Sequence, residues 1–105
     1  MITVRIYTHK DLTVLQVTGH AGAGKRGEDL VCAAASVLIY TAAAAARQLH
    51  REGKLETAPA IRLQPGNALL TLETVPAAGA MLDVIATGFD LLAAQYSKNV
   101  RLIRG

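Results

Sequence analysis

The sequence predicts an α+β fold of two layers, with two helices on one face of a mostly antiparallel sheet, in the order ββαββαβ. Three observations carry this. Apolar residues recur at period two in short segments and at helical period in two longer ones. Turn residues join neighbouring short segments at two places, and strands joined by hairpins run antiparallel. The chain is 105 residues long, which is the length of one domain with one core.

Ile2, Val4 and Ile6 alternate with Thr3, Arg5 and Tyr7, the pattern of a half-buried strand. His9-Lys10-Asp11 is polar and reads as a turn. Leu12 to Thr18, rich in β-branched residues, is the second strand. Gly19 to Asp29 holds four glycines and reads as a loop. Leu30 to about Arg51 is a helix whose stripe is Val31, Ala35, Leu38, Ala42, Ala46 and Leu49. Gly53 is its stop. Ile61 and Leu63 begin a third strand. In Pro65-Gly66-Asn67 the proline presets the first corner of a turn and the glycine accepts positive φ. Ala68 to Val75 returns as the fourth strand. Pro76 suits the first turn of a second helix. There Met81, Val84, Ile85, Gly88, Leu92 and Gln95 keep helical period, with Leu82, Phe89 and Tyr96 beside them. Asn99 ends that helix, and Val100 to Arg104 is the last strand.

Composition narrows the function classes. Half the chain (51%) is apolar and 18% is charged, so it is no disordered tail. The net charge of +3 is spread along the sequence. It lacks the dense cationic surface and aromatic platforms of a nucleic-acid binder. Arg47, His50, Arg51 and Lys54 cluster, but at a helix end, where cations oppose the negative dipole pole. The N-terminal residues carry no basic leader followed by an apolar run. The longest uncharged run, Leu30 to Ala46, falls just short of the roughly 18 residues that span a bilayer. The expectation is a cytoplasmic protein without a membrane segment. The single cysteine, Cys32, excludes an intrachain disulfide and any multi-cysteine metal site. No metal or cofactor is expected.

Cys32 is either a small buried hydrophobe or a reactive thiol. Its setting gives the second reading a mechanism. His20 ends a strand, a glycine-rich loop follows, and Asp29 stands where a helix N-cap belongs. Counted from that cap, Cys32 falls in the first helical turn, where free N–H groups and the helix dipole favour a thiolate. Ser36 lies one turn later on the same side. A strand end and the start of the helix packed on that strand can bring His20 to Cys32. A Cys–His pair supplies an activated nucleophile and an acid for a leaving amine. Amides at the helix start or in the glycine loop, such as those of Leu30 or Val31, are candidate oxyanion donors. The same loop contains G-x-x-x-x-G-K over residues 19–25, most of a phosphate-binding loop. Arg26 replaces its Ser or Thr, and Gly27-Glu28-Asp29 separates the lysine from the expected helix start.

The run Gly19-His20-Ala21, then Gly27-Glu28-Asp29-Leu30-Val31-Cys32-Ala33-Ala34-Ala35-Ser36, resembles the ribosomal-processing cysteine protease family (Prp, YsxB-like). Its members carry G-H-A, a glycine-containing loop and G-x-D-(I/L)-V-C-A-x-x-S. The likeness covers the whole chain, residues 1–105, including Asn99-Val100-Arg101-Leu102 near its end. Glu28, Lys25 and Arg26 depart from the family's usual loop residues. The resemblance implies His20 as the catalytic histidine and Cys32 as the nucleophile. It implies Gly19 for close backbone approach, and Asp29 and Ser36 in supporting or substrate-binding roles. It further implies a homodimeric endopeptidase that removes the N-terminal extension of bacterial large-subunit ribosomal protein twenty-seven. The alternative of a different class is a non-catalytic ribosome-associated RNA- or protein-binding module, suggested by the mild basicity and by Lys25 and Arg26. It would bind RNA with strong salt dependence.

Overall fold

The computed structural model describes the backbone of residues 1–20 and 26–105, and the side chains of residues 1–20 and 30–105. The expected order ββαββαβ is present. Strands β1 (Ile2–His9) and β2 (Leu12–Thr18) precede helix α1 (Arg26–Arg51). Strands β3 (Ala60–Gln64) and β4 (Asn67–Glu73) precede helix α2 (Pro76–Gln95), and β5 (Val100–Arg104) closes the chain. The strands form one sheet in the order β3-β4-β2-β1-β5. Among the described residues, three of the four pairings are antiparallel, and β5 pairs parallel to β1. That exception follows from topology. Strand β5 leaves α2 rather than a hairpin, and a helical crossover returns a strand in the parallel sense.

Register explains why one face is apolar. Ile6 stands opposite Leu15, Leu15 opposite Leu70, and Leu70 opposite Ile61. Because side chains alternate along each strand, that row and its i±2 neighbours Val4, Val17, Ala68 and Leu72 share one side. Val4, Leu15 and Leu70 have no exposed surface, and each such burial stabilises the fold by about 1.5–3 kcal/mol. The helices lie on this side, in one cluster with the sheet. Leu30–Arg51 and α2 are each long and apolar enough to cross a bilayer, but each lays its apolar stripe against this core.

Several boundaries and faces differ from expectation. Strand β1 continues to His9, so the turn narrows to Lys10-Asp11, with Lys10 at φ 56°. Helix α1 starts at Arg26, ahead of the expected cap at Asp29. Arg and Glu are good helix formers, and acidic residues suit the whole first turn, not only the cap. The buried centre of α1 is Val31, Ala35, Ile39, Ala42 and Ala46, with Leu38 and Leu49 at its margin. In α2 the buried line is Ala78, Leu82, Ile85, Phe89 and Leu92, while Val84 is 71% exposed. That helix is apolar nearly all round, so periodicity alone did not fix its face. The stop after α1 is as expected. Gly53 has φ 77°, its N–H donates to the His50 carbonyl, and Lys54 N–H donates to the Leu49 carbonyl. Those two bonds are a Schellman cap.

Candidate active site

The register of β2 decides where His20 stands. Thr18 pairs with Thr3 on one side and with Asn67 on the other. The next two residues therefore emerge between the start of β1 and the turn joining β3 to β4. Both neighbours hold them. Gly19 N–H donates to the Gly66 carbonyl at 3.0 Å, and the Met1 nitrogen donates to the His20 carbonyl at 2.6 Å. Gly19 has φ 93°, and a Cβ there would collide with the Met1 carbonyl oxygen. The imidazole of His20 is left exposed at the end of the sheet.

Helix α1 supplies the opposing wall. Cys32, Ser36 and Tyr40 recur at intervals of four, which places them along one side of the helix. Cys32 and Ser36 are half-buried and Tyr40 is 56% exposed. All three border a cleft of about 360 Å³ that also takes in Gly19, His20 and the turn residues Gln64 to Ala68. The fold thus brings Gly19, His20, Cys32 and Ser36 to one cavity. They come from a strand end and a helix separated in sequence by residues 21–25. The Asp29 side chain lies outside the described residues, as do residues 21–25 of the glycine-rich loop.

The earlier start of α1 changes two arguments. Cys32 is its seventh residue and so sits in the second turn. Dipole effects fade within the first turn, so the case for the thiol passes to the cleft it shares with His20. The N–H groups of Leu30 and Val31 fall past the four free amides of the helix start and bond to the carbonyls of Arg26 and Gly27. They are not free to hold an oxyanion. The helix also begins directly after Lys25, so the expected interruption of the phosphate-loop pattern is absent. Arg26 still occupies the position where that motif needs a hydroxyl.

Two parts of the cleft were missed in the sequence. Tyr40 continues the spacing of Cys32 and Ser36 by one more turn, and extending that line would have found it. The turn Pro65-Gly66-Asn67 was visible only as a turn. Its place beside His20 depends on the pairing of β2 with β4, which no local pattern encodes. In chemical terms the cavity offers a thiol, an imidazole, the hydroxyls of Ser36 and Tyr40, and the amides of Gln64 and Asn67. Among the described residues no group of three His, Cys, Asp or Glu side chains is placed to hold a metal ion.

The fold is shared with solved structures. An essential ribosomal processing protease Prp from S. aureus, in complex with a covalently linked product peptide, is 24% identical with a TM-score of 0.70, each chain covered in full. The same S. aureus protease in complex with a substrate peptide gives 24% identity and a TM-score of 0.71, again over 100% of both chains. SMU.848 from Streptococcus mutans is 21% identical with a TM-score of 0.70, over 99% of this chain and 93% of that one. No curated protein sequence matches the chain. The family model described as cysteine protease Prp matches residues 1–101. With the match running from the first strand into the last, the chain belongs to the Prp family of ribosomal-processing cysteine proteases.

Proposed function

We propose that this protein is the endopeptidase that removes the N-terminal extension from the precursor of bacterial large-subunit ribosomal protein twenty-seven during ribosome assembly, with Cys32 as nucleophile and His20 as its acid–base partner. The observation that carries the reading is the cleft that His20, Cys32 and Ser36 border together in a chain of this protease family. The S. aureus relative is a ribosomal processing protease that binds a substrate peptide, which supports a peptide substrate here. His20 takes the thiol proton as Cys32 Sγ attacks the scissile carbonyl. The imidazolium then gives that proton to the departing amine, leaving a thioester on Cys32. Water, deprotonated by His20, attacks the thioester. The carboxylic product leaves, and the proton returns from His20 to the thiolate.

The test is a peptide spanning the junction between extension and mature protein, incubated with wild type and with Cys32→Ala. Wild type is expected to cut once at the junction and the variant not at all. Equal cleavage by both, or an intact peptide with wild type, overturns the reading.

Tyr40 contributes through binding rather than bond cleavage, because it lines the cleft two turns beyond Cys32 and is mostly exposed. An aromatic contact of this kind is worth about 0.5–1.5 kcal/mol. Tyr40→Ala is therefore expected to raise KM about three- to tenfold with kcat nearly unchanged. Steady-state kinetics on the same peptide checks it, and an unchanged KM would remove Tyr40 from the binding surface.

The same reading places the enzyme in the cytoplasm, where a ribosomal precursor is made, and has it act as a homodimer. Val84 and Leu91, two turns apart on the outer face of α2, are 71% and 69% exposed and offer an apolar surface for a second copy.

A further inference from the structure

The turn joining β3 to β4 presents a glycine to the His20 ring. A Cβ built on Gly66 would stand 2.5 Å from His20 Nε2 and 2.8 Å from Cε1. Comfortable non-bonded separations are about 3.5–4.0 Å, so any side chain at position 66 forces the imidazole back by about 1 Å. The turn is poorly placed to yield instead. Pro65 has a fixed φ, Gly66 holds φ 73°, and Gln64 and Asn67 pair across the turn. Asn67 is in turn registered against Thr18, two residues before the histidine. The Gly66 carbonyl also accepts the Gly19 N–H at 3.0 Å. The element that bears on the ring is thus tied to the backbone carrying it.

We propose that Gly66 is a positioning residue: the β3–β4 turn is the stop against which the exposed imidazole of His20 is seated at the cleft, and the missing Cβ sets where Nε2 stands. The proposal rests on the reading of His20 as the acid–base of the reaction. Gly66 supplies no group to the reaction. It acts by limiting where an otherwise exposed ring can rotate. It also gives the hairpin, which contributes no titratable group to the cleft wall, a role in the chemistry.

The experiment compares Gly66→Ala with Gly53→Ala and His20→Ala in the peptide assay. Gly53 is the matched control. It has φ 77°, close to that of Gly66, with nothing within 4 Å of its would-be Cβ. Both alanine variants meet the same backbone strain, so both are expected to lose a similar few degrees of melting temperature. Only Gly66→Ala is expected to lose kcat, by about ten- to hundredfold, since a 1 Å misplacement can cost about that much. KM should stay within about threefold, as only the step that His20 serves is affected. The imidazole NMR signals of His20 should shift in Gly66→Ala and stay in place in Gly53→Ala. Should Gly66→Ala fold poorly, Gly66→Asn tolerates the left-handed backbone, keeps the offending Cβ and should show the same kinetic loss.

The proposal is overturned if His20→Ala is inactive while Gly66→Ala keeps kcat within about twofold of Gly53→Ala. A fully active His20→Ala protein would instead overturn the acid–base reading, and the positioning role with it.

Discussion

Replacing Cys32 by alanine, His20 by alanine, or both together is expected to give three proteins of nearly equal residual activity, each about 10⁴–10⁶-fold below wild type. The reason is that in the proposed mechanism the two side chains act as one unit. Without the imidazole the thiol has no positioned acceptor for its proton and the leaving amine has no donor. Without the thiol the imidazole has nothing to activate. Once either is gone the other contributes little, and the losses do not multiply. Stability should not confuse the result. His20 is exposed and Cys32 is half-buried at the margin of the core, so each substitution should move the unfolding free energy by no more than about 1 kcal/mol. Single-turnover cleavage of the junction peptide, with thermal unfolding followed by circular dichroism, measures both quantities. If the double variant is slower than the singles by the product of their losses, the residues act independently and the pair is wrong. A His20→Ala protein that keeps a tenth of wild-type activity would remove the acid–base role by itself.

Much of this site is legible in the sequence, but unevenly. Strands announced themselves because one buried face gives strict alternation, as at Ile2-Val4-Ile6, and the turn at Pro65-Gly66 because its backbone demands those residues. The two candidate reacting residues stood out because a lone cysteine and a strand-end histidine flank a glycine-rich loop. The start of α1 was misplaced by reading Asp29 only as a cap, although its charge suits any position in a first turn. The face of α2 was misjudged because a helix rich in Ala, Leu, Ile and Val on all sides has no strong period to read. What no local pattern carries is strand pairing across the chain. Thr18 against Asn67 and Leu15 against Leu70 are separated by about fifty residues, and that pairing is what sets the β3–β4 turn beside His20.

The misjudged face of α2 leads to the second large effect. Phe89 is the chain's only phenylalanine and, among the described residues, the largest side chain with no exposed surface. It belongs to the single core cluster that α1, α2 and the sheet share. Phe89→Ala is expected to lower the unfolding free energy by about 3–5 kcal/mol, from the lost transfer of the ring and the cavity left behind. For a domain whose whole stability is about 5–15 kcal/mol, that is a large fraction. The urea midpoint should drop by about 2 M with the slope unchanged. Val84→Ala is the contrast. Helical period put Val84 in the stripe, whereas the structure leaves it mostly exposed. Its removal should cost the isolated fold no more than about 0.5 kcal/mol. A Val84→Ala loss that exceeds that of Phe89→Ala would overturn the described face of α2. The two positions also separate folding from association. If Val84 lies between two copies, its effect grows as protein concentration rises into the range where the dimer forms. The deficit at Phe89, inside one core, should be the same at every concentration.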